Sequence, residues 1–584
     1  MPDRIGGMEE REVSNQSFME SVGGFKETPI GKIPGDWEVV RLGDKRIAEI
    51  RGNKSVSGMD KVAFIPMELI PDSGVYAEYE IRKINEVRSS TYCEAGDLLL
   101  AKITPSLENG KQGIVPDDIP NGFALATTEV FPIICKGIDR LFLFYILKHP
   151  KFRKVLEYSM RGTTGRQRVP KEAVENLLIP FPPLPEQRKI AEILSTVDKA
   201  IERVNEAIAK TERLKKGLMQ ELLTKGINLF ALEQQKIIDA VKRAYENKDH
   251  EFGREENLVS HLAGYLREKF DDYDIDSEVR KDLRGHRPDI IIHKRHTNVN
   301  LFAIEVKKRD DVNLIREDIK KLENLMLAKY EYCEAIFIGF NIENPENVLN
   351  LSDKVNFVLV TPEGKIITKV RRRKFKITEI SRIPKEWEVV RLGDIANVKE
   401  GIYGKRSNRG TIIQLKADTI TDDGKIDFTK YALVEINRDI SEYLLKPGDI
   451  ILSNRNSLDK VGKCAIFQGE INRCVYSNLL TRIRIVSTGV APEWVLYTLM
   501  KMYNEGFFKS LVTRAVNQVL LKKTIVEKLK IPLPPLPEQQ KIAEILSTVD
   551  KKLELERKRK EKLERIKKGL MSDLLTGRRR VKCR

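Results

Sequence analysis

The sequence predicts an α/β protein in which one mixed α/β unit occurs twice. Each copy ends in a long helix, and a further α/β segment lies between the copies. Three observations carry this. IPFPPLPEQRKIAEILSTVD at 179–198 returns as IPLPPLPEQQKIAEILSTVD at 531–550, differing only at Phe181/Leu533 and Arg188/Gln540. WEVVRLGD occurs at Trp37–Asp44 and again, unchanged, at Trp387–Asp394. The offsets, 352 and 350 residues, are so close that both pairs belong to one duplication.

Residues 1–25 are polar and read as a loose leader. The first unit, 26–185, holds short apolar segments such as Gly96–Ile103 and Ala126–Ile134, broken by Gly, Pro and Asn, which suits twisted strands. The proline-rich stretch 180–185 cannot be helical inside and closes this part. From Glu186 the spacing predicts a helix to Gly226, because Ile190, Ile193, Val197, Ile201, Val204 and Ile208 form one stripe. Gly226 is a natural stop. A stripe this long needs a long partner, and the second copy supplies one over 538–578. The two helices are expected to pair as an antiparallel coiled coil. LKKGLMQELLT (Leu214–Thr224) and IKKGLMSDLLT (Ile566–Thr576) carry the repeat to the helix ends. The second unit, 376–537, has GDIILSNRNS where the first has GDLLLAKITPS. The globular parts diverge while the helices barely differ, as in a constant frame bearing two different heads.

Lys and Arg number 103 against 86 Asp and Glu, a net charge of +17 that favours polyanionic partners. None of the six cysteines forms a Cys-x-x-Cys pair, so neither a zinc ribbon nor a disulfide framework is expected. No run of about 18 apolar residues is present, so no membrane span is expected. The N-terminus lacks a secretory signal, and the cytoplasm is the expected compartment.

IPxxWEVVRLGD at the head of each unit and IPxPPLPEQxKIAEIL before each helix resemble the specificity subunits of type I restriction–modification systems. The resemblance covers about 400 residues. It implies two target-recognition domains, each reading half of a split site in double-stranded DNA, joined by two long antiparallel helices. It also implies partners: type I methyltransferase (modification) subunits and a restriction motor subunit. No GxxxxGK[ST] loop and no [DNS]PP[YF] sequence occurs. ATP and S-adenosylmethionine are therefore expected only through those partners, and the recognition halves are read as non-catalytic.

Bases are read through polar groups in the major groove, with Arg suited to guanine and Asn or Gln to adenine. The candidate readers are Arg166, Gln167 and Arg168 in RGTTGRQR, and Arg514, Asn517 and Gln518 in its counterpart. Lys102, Thr104, Asn454 and Arg455, just past the apolar segments, complete the set.

Residues 227–372 depart from the family pattern. A helix is expected over Gly253–Phe270, a hairpin over His286–Lys308, a helix over Leu314–Lys329 and a strand over Glu334–Phe340. Pro288-Asp289 followed by Glu305-x-Lys307 resembles the PD-(D/E)xK nuclease fold. The resemblance implies an inserted nuclease-like domain. Asp289 and Glu305 would hold Mg²⁺, Lys307 would position the nucleophile, and Glu256 (or Glu255) would add an acidic residue. Glu305 and Lys307, two apart, share a strand face. The leading reading is thus a DNA specificity subunit with an inserted nuclease-like domain, for which Mg²⁺-dependent DNA cleavage is an open expectation. Two others stand beside it: a self-contained endonuclease for bipartite sites, and an architectural DNA-binding protein with a degenerate nuclease domain.

Overall fold

The repeated segments turn out to be each other's partners. In the first copy Glu38–Arg41, from WEVVRLGD, pairs antiparallel with Leu178–Phe181, from IPFPPLPEQ, with Val39 opposite Pro180. In the second copy Glu388–Arg391 pairs with Lys530–Leu533 in the same register, Val389 opposite Pro532. The computed structural model describes residues 24–87, 89–163, 165–246, 255–277, 288–294, 300–308, 310–325, 334–407, 409–514 and 518–581. The leader to residue 23 lies outside them. Two compact units result: Met1–Lys210 with Glu554–Arg584, and Thr211–Leu553. The division falls inside both long helices, Leu184–Lys225 and Leu536–Leu574.

In the first unit, β1 (Ala48–Ile50), β2 (Leu98–Ala101), β3 (Gln112–Ile114) and β4 (Val130–Cys135) form a sheet in the order β1-β4-β2-β3. All four residues of β2 are buried, as its unbroken apolar run requires. A second four-stranded sheet contains Lys61–Ile65, Glu80–Lys83, Thr91–Glu94 and Phe123–Ala126. The core gathers Trp37, Leu98, Phe142 and Ile190, and Leu574 and Leu575 from the end of the second long helix join it.

The second unit contains the intervening segment. Its sheet runs β5 (Asp274–Ser277), β6 (Ile290–His293), β7 (Asn300–Lys307), β8 (Glu334–Phe340), β9 (Asn356–Val360), β10 (Ile366–Lys369), in that order across the sheet. β7, β8 and β9 are parallel, and the other pairings are antiparallel. Helices α1 (Leu229–Glu246) and α2 (Glu255–Lys269) share a cluster with Ile290, Phe302 and Ile304, on one face. Helix α3 (Val312–Leu325) packs Ile315, Ile319 and Leu322 with Ile291, Ala303 and Phe337, on the other. Cover on both faces explains the continuous apolar runs of β6 and β8. The helix expected to Lys329 is described as far as Leu325. Helix α1 has no counterpart in the sequence reading. It adds to a cluster that runs on through Trp387, Trp494 and Ile542, so the segment shares its core with the second copy. That copy repeats the first unit's sheet, with β11 (Ala396–Glu400), β12 (Ile450–Ser453), β13 (Cys464–Ile466) and β14 (Leu480–Ile485) ordered β11-β14-β12-β13.

The PPLPEQ motif owes its repetition to contacts made twice. Glu186, in the first turn of its helix, accepts from Trp37 Nε1 (3.1 Å) and from Arg580 Nε and Nη2 (2.7 and 2.8 Å). Glu538 likewise accepts from Trp387 Nε1 (3.0 Å) and from both Arg373 terminal nitrogens (2.7 Å each). The next residue ties helix to head. Gln187 donates to Pro182 O and accepts from Asp139 N, and Gln539 donates to Pro534 O and accepts from Ala491 N. One helical stretch further on, Asp198 holds Tyr145 Oη (2.8 Å) and Lys567 of the other helix (2.6 Å). Asp550 holds Tyr497 Oη (2.9 Å) and Lys215 (2.5 Å). In the first unit Glu186 meets Arg580 and the later Asp198 meets the earlier Lys567, so the helices run antiparallel there. In the second, Lys215 meets Asp550 and Ile227 N meets Glu538, with the same sense.

The first long helix ends at Lys225, just before a left-handed glycine, and the second ends at Leu574, three residues before another; each glycine is pressed on a clamp. A Cβ on Gly226 (φ 68°) would meet Arg373, Glu538 and Trp387. One on Gly577 (φ 70°) would meet Pro34 and Trp37. After Gly577 the chain reads Arg-Arg-Arg, and the third is Arg580; the same triplet at 371–373 ends in Arg373. The segment 227–370 therefore interrupts a Gly-Arg-Arg-Arg sequence that is continuous in the other copy.

The side chains of Arg373 and Glu538 are 11% and 4% exposed, so removing either strands a buried charge. Arg373→Ala should lower stability of the second unit by about 3–5 kcal/mol, read from urea unfolding. A chain lacking 227–370, joined Gly226 to Arg371, keeps this clamp and should still unfold cooperatively. It should melt lower than the parent because the cluster shared with α1 is lost.

Candidate nucleic-acid interface

Two loops chosen separately in the sequence converge in each unit. In the first, the strand β2 runs on into Lys102–Thr104. Val169 N donates to Lys102 O (2.8 Å) and Thr104 N to Gln167 O (3.0 Å), while Arg161 and Arg168 exchange both backbone bonds at 2.9 Å. These make a small ribbon. In the second, Arg455–Asn456 follows β12 and pairs with Val519–Leu520, which pairs in turn with Thr513–Arg514. The ribbon is thus built twice, on heads whose sequences differ.

The side chains are not equivalent. Arg166 is exposed and makes no ion pair among the described residues, so it is available to a phosphate or a base edge. Arg168 is exposed but forks onto Glu129 (2.8 and 2.9 Å), which holds the Glu129 carboxyl below its usual range. Lys102 lies over the Phe131 ring, and burial lowers its pKa against the opposing Glu129. Gln167 is half-buried. Thr104 donates to Glu108 (2.9 Å). Arg455 and Gln518 are exposed. Asn454 is buried, with Nδ2 on Thr481 Oγ1 (3.0 Å), N–H on Leu479 O and C=O accepting from Leu521. Its contacts hold the ribbon to β14. The Arg514 side chain and Asn517 lie outside the described residues.

In the intervening segment, Asp289 Oδ2 accepts from Val306 N (2.7 Å), which brings it to the strand carrying Glu305. Glu305 is 1% exposed and meets Lys321 Nζ at 2.6 Å. Burial and the Asp289 carboxylate push Glu305 up to about 9, with Lys321 opposing. Burial raises Asp289 as well. Lys307 pairs with Asp318 (3.2 Å). Asp318 and Lys321 both come from α3, where only their three-residue spacing on one helix face marked them. Glu256 is exposed in the first turn of α2, and among the described residues no ion pair or hydrogen bond ties it to Asp289, Glu305 or Lys307. No group of three or more His, Cys, Asp or Glu arranged for a metal occurs among the described residues. One buried carboxylate, Glu305, and one half-buried, Asp289, remain, which suits Mg²⁺, an ion commonly held by one or two protein carboxylates with water and phosphate.

The geometry defines a class: a duplicated protein in which each of two heads raises a polar ribbon at an equivalent sheet and is tied to the start of a long helix. Comparison with known proteins agrees. The family described as "Type I restriction modification DNA specificity domain" matches residues 34–213 and 384–565. The chain belongs to that family and carries two of its domains. It is 37% identical over 209 residues to a putative type I restriction enzyme MjaX specificity subunit of Methanocaldococcus jannaschii, covering 35% of this chain and 49% of that one. The chain thus spans about half the length of that relative. To the MjaVIII specificity subunit of the same organism it is 24% identical over 572 residues, 96% of each chain. A solved type I restriction–modification S subunit from M. genitalium aligns over 94% of this chain and 98% of its own, at 14% identity and a TM-score of 0.44. No helix among the described residues is long and apolar enough to cross a membrane.

Asn454 and Arg455 separate frame from surface. Asn454→Ala should lower stability by about 1–3 kcal/mol, since Thr481 and its neighbours lose a buried partner. Arg455→Ala should leave the urea midpoint unchanged and weaken binding to duplex DNA, measured by fluorescence anisotropy.

Proposed function

We propose that this chain is the specificity subunit of a type I restriction–modification complex. It reads a bipartite site in double-stranded DNA and directs modification subunits and a restriction motor subunit. S-adenosylmethionine and ATP are handled by those partners. The observation that carries the reading is the identical clamp and latch under two dissimilar heads. A frame built twice from the same residues supports two readers, and divergence between the readers lets the half-sites differ.

The half-sites are then separated by a nonspecific spacer of set length. The latches say where to test this. Removing one heptad between Asp198 and Lys215 and another between Asp550 and Lys567 leaves every latch residue in place. Sequencing of methylated host DNA should then show a shortened spacer or no methylation. Continuous sites, or many tolerated spacer lengths, defeat the ruler. Exchange of residues 45–178 for another recognition domain should change one half-site and spare the other.

The intervening segment is proposed as a PD-(D/E)xK-like nuclease module that cuts DNA for the complex. Asp289 and Glu305 would hold Mg²⁺, whose chemistry is to polarise the scissile phosphate and favour hydroxide. Lys307 would orient the attacking water. The Lys321 ammonium against Glu305 favours a second reading, a related fold kept for binding DNA or a partner. Asp289→Ala or Glu305→Ala should abolish Mg²⁺-dependent cleavage and flatten a calorimetric Mn²⁺ titration, with methylation in the complex retained. Wild-type protein that neither binds the ion nor cuts DNA leaves the second reading.

A further inference from the structure

We propose that Tyr403, Lys405, Arg406 and Arg409, on the stretch between Gly401 and Gly410 of the second unit in which Asn408 lies outside the described residues, grip the sugar–phosphate backbone of duplex DNA beside that unit's half-site. The inference rests on the reading that the chain binds duplex DNA and goes beyond the base-reading ribbons. Its first support is sheet geometry. β11 and β12 both lie antiparallel to β14, where Glu400 and Leu452 stand opposite the same residue, Thr481. β11 and β12 are therefore parallel to each other and leave the sheet at the same end. The chain after β12 makes the ribbon with Arg455, and the chain after β11 makes this loop. Ribbon and loop share one edge.

The second support is how the loop is rooted. Gly401 N donates to Leu480 O (2.9 Å) and Ile402 N to Tyr476 O (3.0 Å), while Ile402 O accepts from Gln414 Nε2 (2.8 Å). A Cβ on Gly401 would stand 2.1 Å from Ser477 O, and one on Gly410 2.7 Å from the Val434 backbone. Only glycine fits at either root. A short ladder between Lys405–Arg406 and Val434–Glu435 stiffens the middle.

The third support is unspent charge. Lys405, Arg406 and Arg409 are exposed and form no ion pair among the described residues, and Tyr403 is 74% exposed. The carboxylate beside them, Glu435, accepts from the Ser407 hydroxyl (2.6 Å). The stretch after β1 in the first unit is different. There Arg51 is held by Asp97 (2.5 Å) and Glu94 (2.8 Å), and Lys54 by Glu94 (3.1 Å). Its cations are already neutralised. Free ammonium and guanidinium groups on a rooted loop suit phosphates, which position a protein on DNA without reading sequence. Tyr403 supplies apolar contact to the sugar.

The test uses the full chain and two duplexes, one bearing the methylated motif and one of random sequence, with anisotropy measured across a salt series. Neutralising n phosphates gives a slope of log affinity against log salt of about −0.9n. The triple variant Lys405→Ala/Arg406→Ala/Arg409→Ala should flatten that slope by about 2 to 3 on both duplexes. Its thermal unfolding and its methylated motif should match the wild type. Tyr403→Ala should weaken binding with the slope unchanged, and Lys54→Ala should change neither. An unchanged slope in the triple variant overturns the inference while leaving the proposed function intact. An altered motif overturns it too, because the loop would then read bases. Wild-type chain with no salt-dependent duplex binding overturns both.

Discussion

Everything in this structure hangs from a carboxylate in the first turn of each long helix. Glu186 and Glu538 are nearly inaccessible to water, at 3% each, and each gathers an indole N–H and an arginine fork from distant parts of the chain. Three segments meet there: the strand that opens the head, the start of the helix, and the arginine triplet that follows a helix end. A buried carboxylate with those donors is stable only while all are present. That explains the sequence pattern. The motif around each clamp is fixed by partners, whereas the heads above need only fill a core and so are free to differ.

The same constraint explains what the sequence made legible. Repetition exposed the frame, because Trp37, Glu186, Gln187 and Asp198 recur 350 to 352 residues later and make the same contacts there. Apolar runs exposed β6 and β8 because both faces of that sheet are covered. What stayed hidden was pairing across sequence distance. Arg168 reads as a free cation until Glu129 is seen beside it. Asn454 reads as a loop residue, yet it is sealed against Thr481. Lys321 carries no mark of its proximity to Glu305. Helix α1, which begins three residues past the stop at Gly226, escaped because its apolar positions carry neither a motif nor a repeat to mark them.

The intervening segment is fastened to the second unit through charge as well as through apolar contact. Glu334, at the start of β8, accepts from Leu229 N, Phe230 N and Asn356 Nδ2, and lies 3.7 Å from Arg371. Arg371 and Arg373 share Glu386, and Arg373 reaches Glu538. The series alternates in sign from the middle of the segment's sheet to the first turn of the second long helix. Either end of it is costly to move alone, since each member neutralises the next.

The paired latches carry one further consequence. Asp198 and Lys215 lie on the same helix, and each binds the counterpart of the other on the second helix. One half of the chain therefore bears both sides of the contact. A surface that carries both a group and that group's complement is isologous, the condition for twofold self-association. The long helix of either half is thus a self-complementary surface, carrying both of the groups that two identical subunits would need in order to pair.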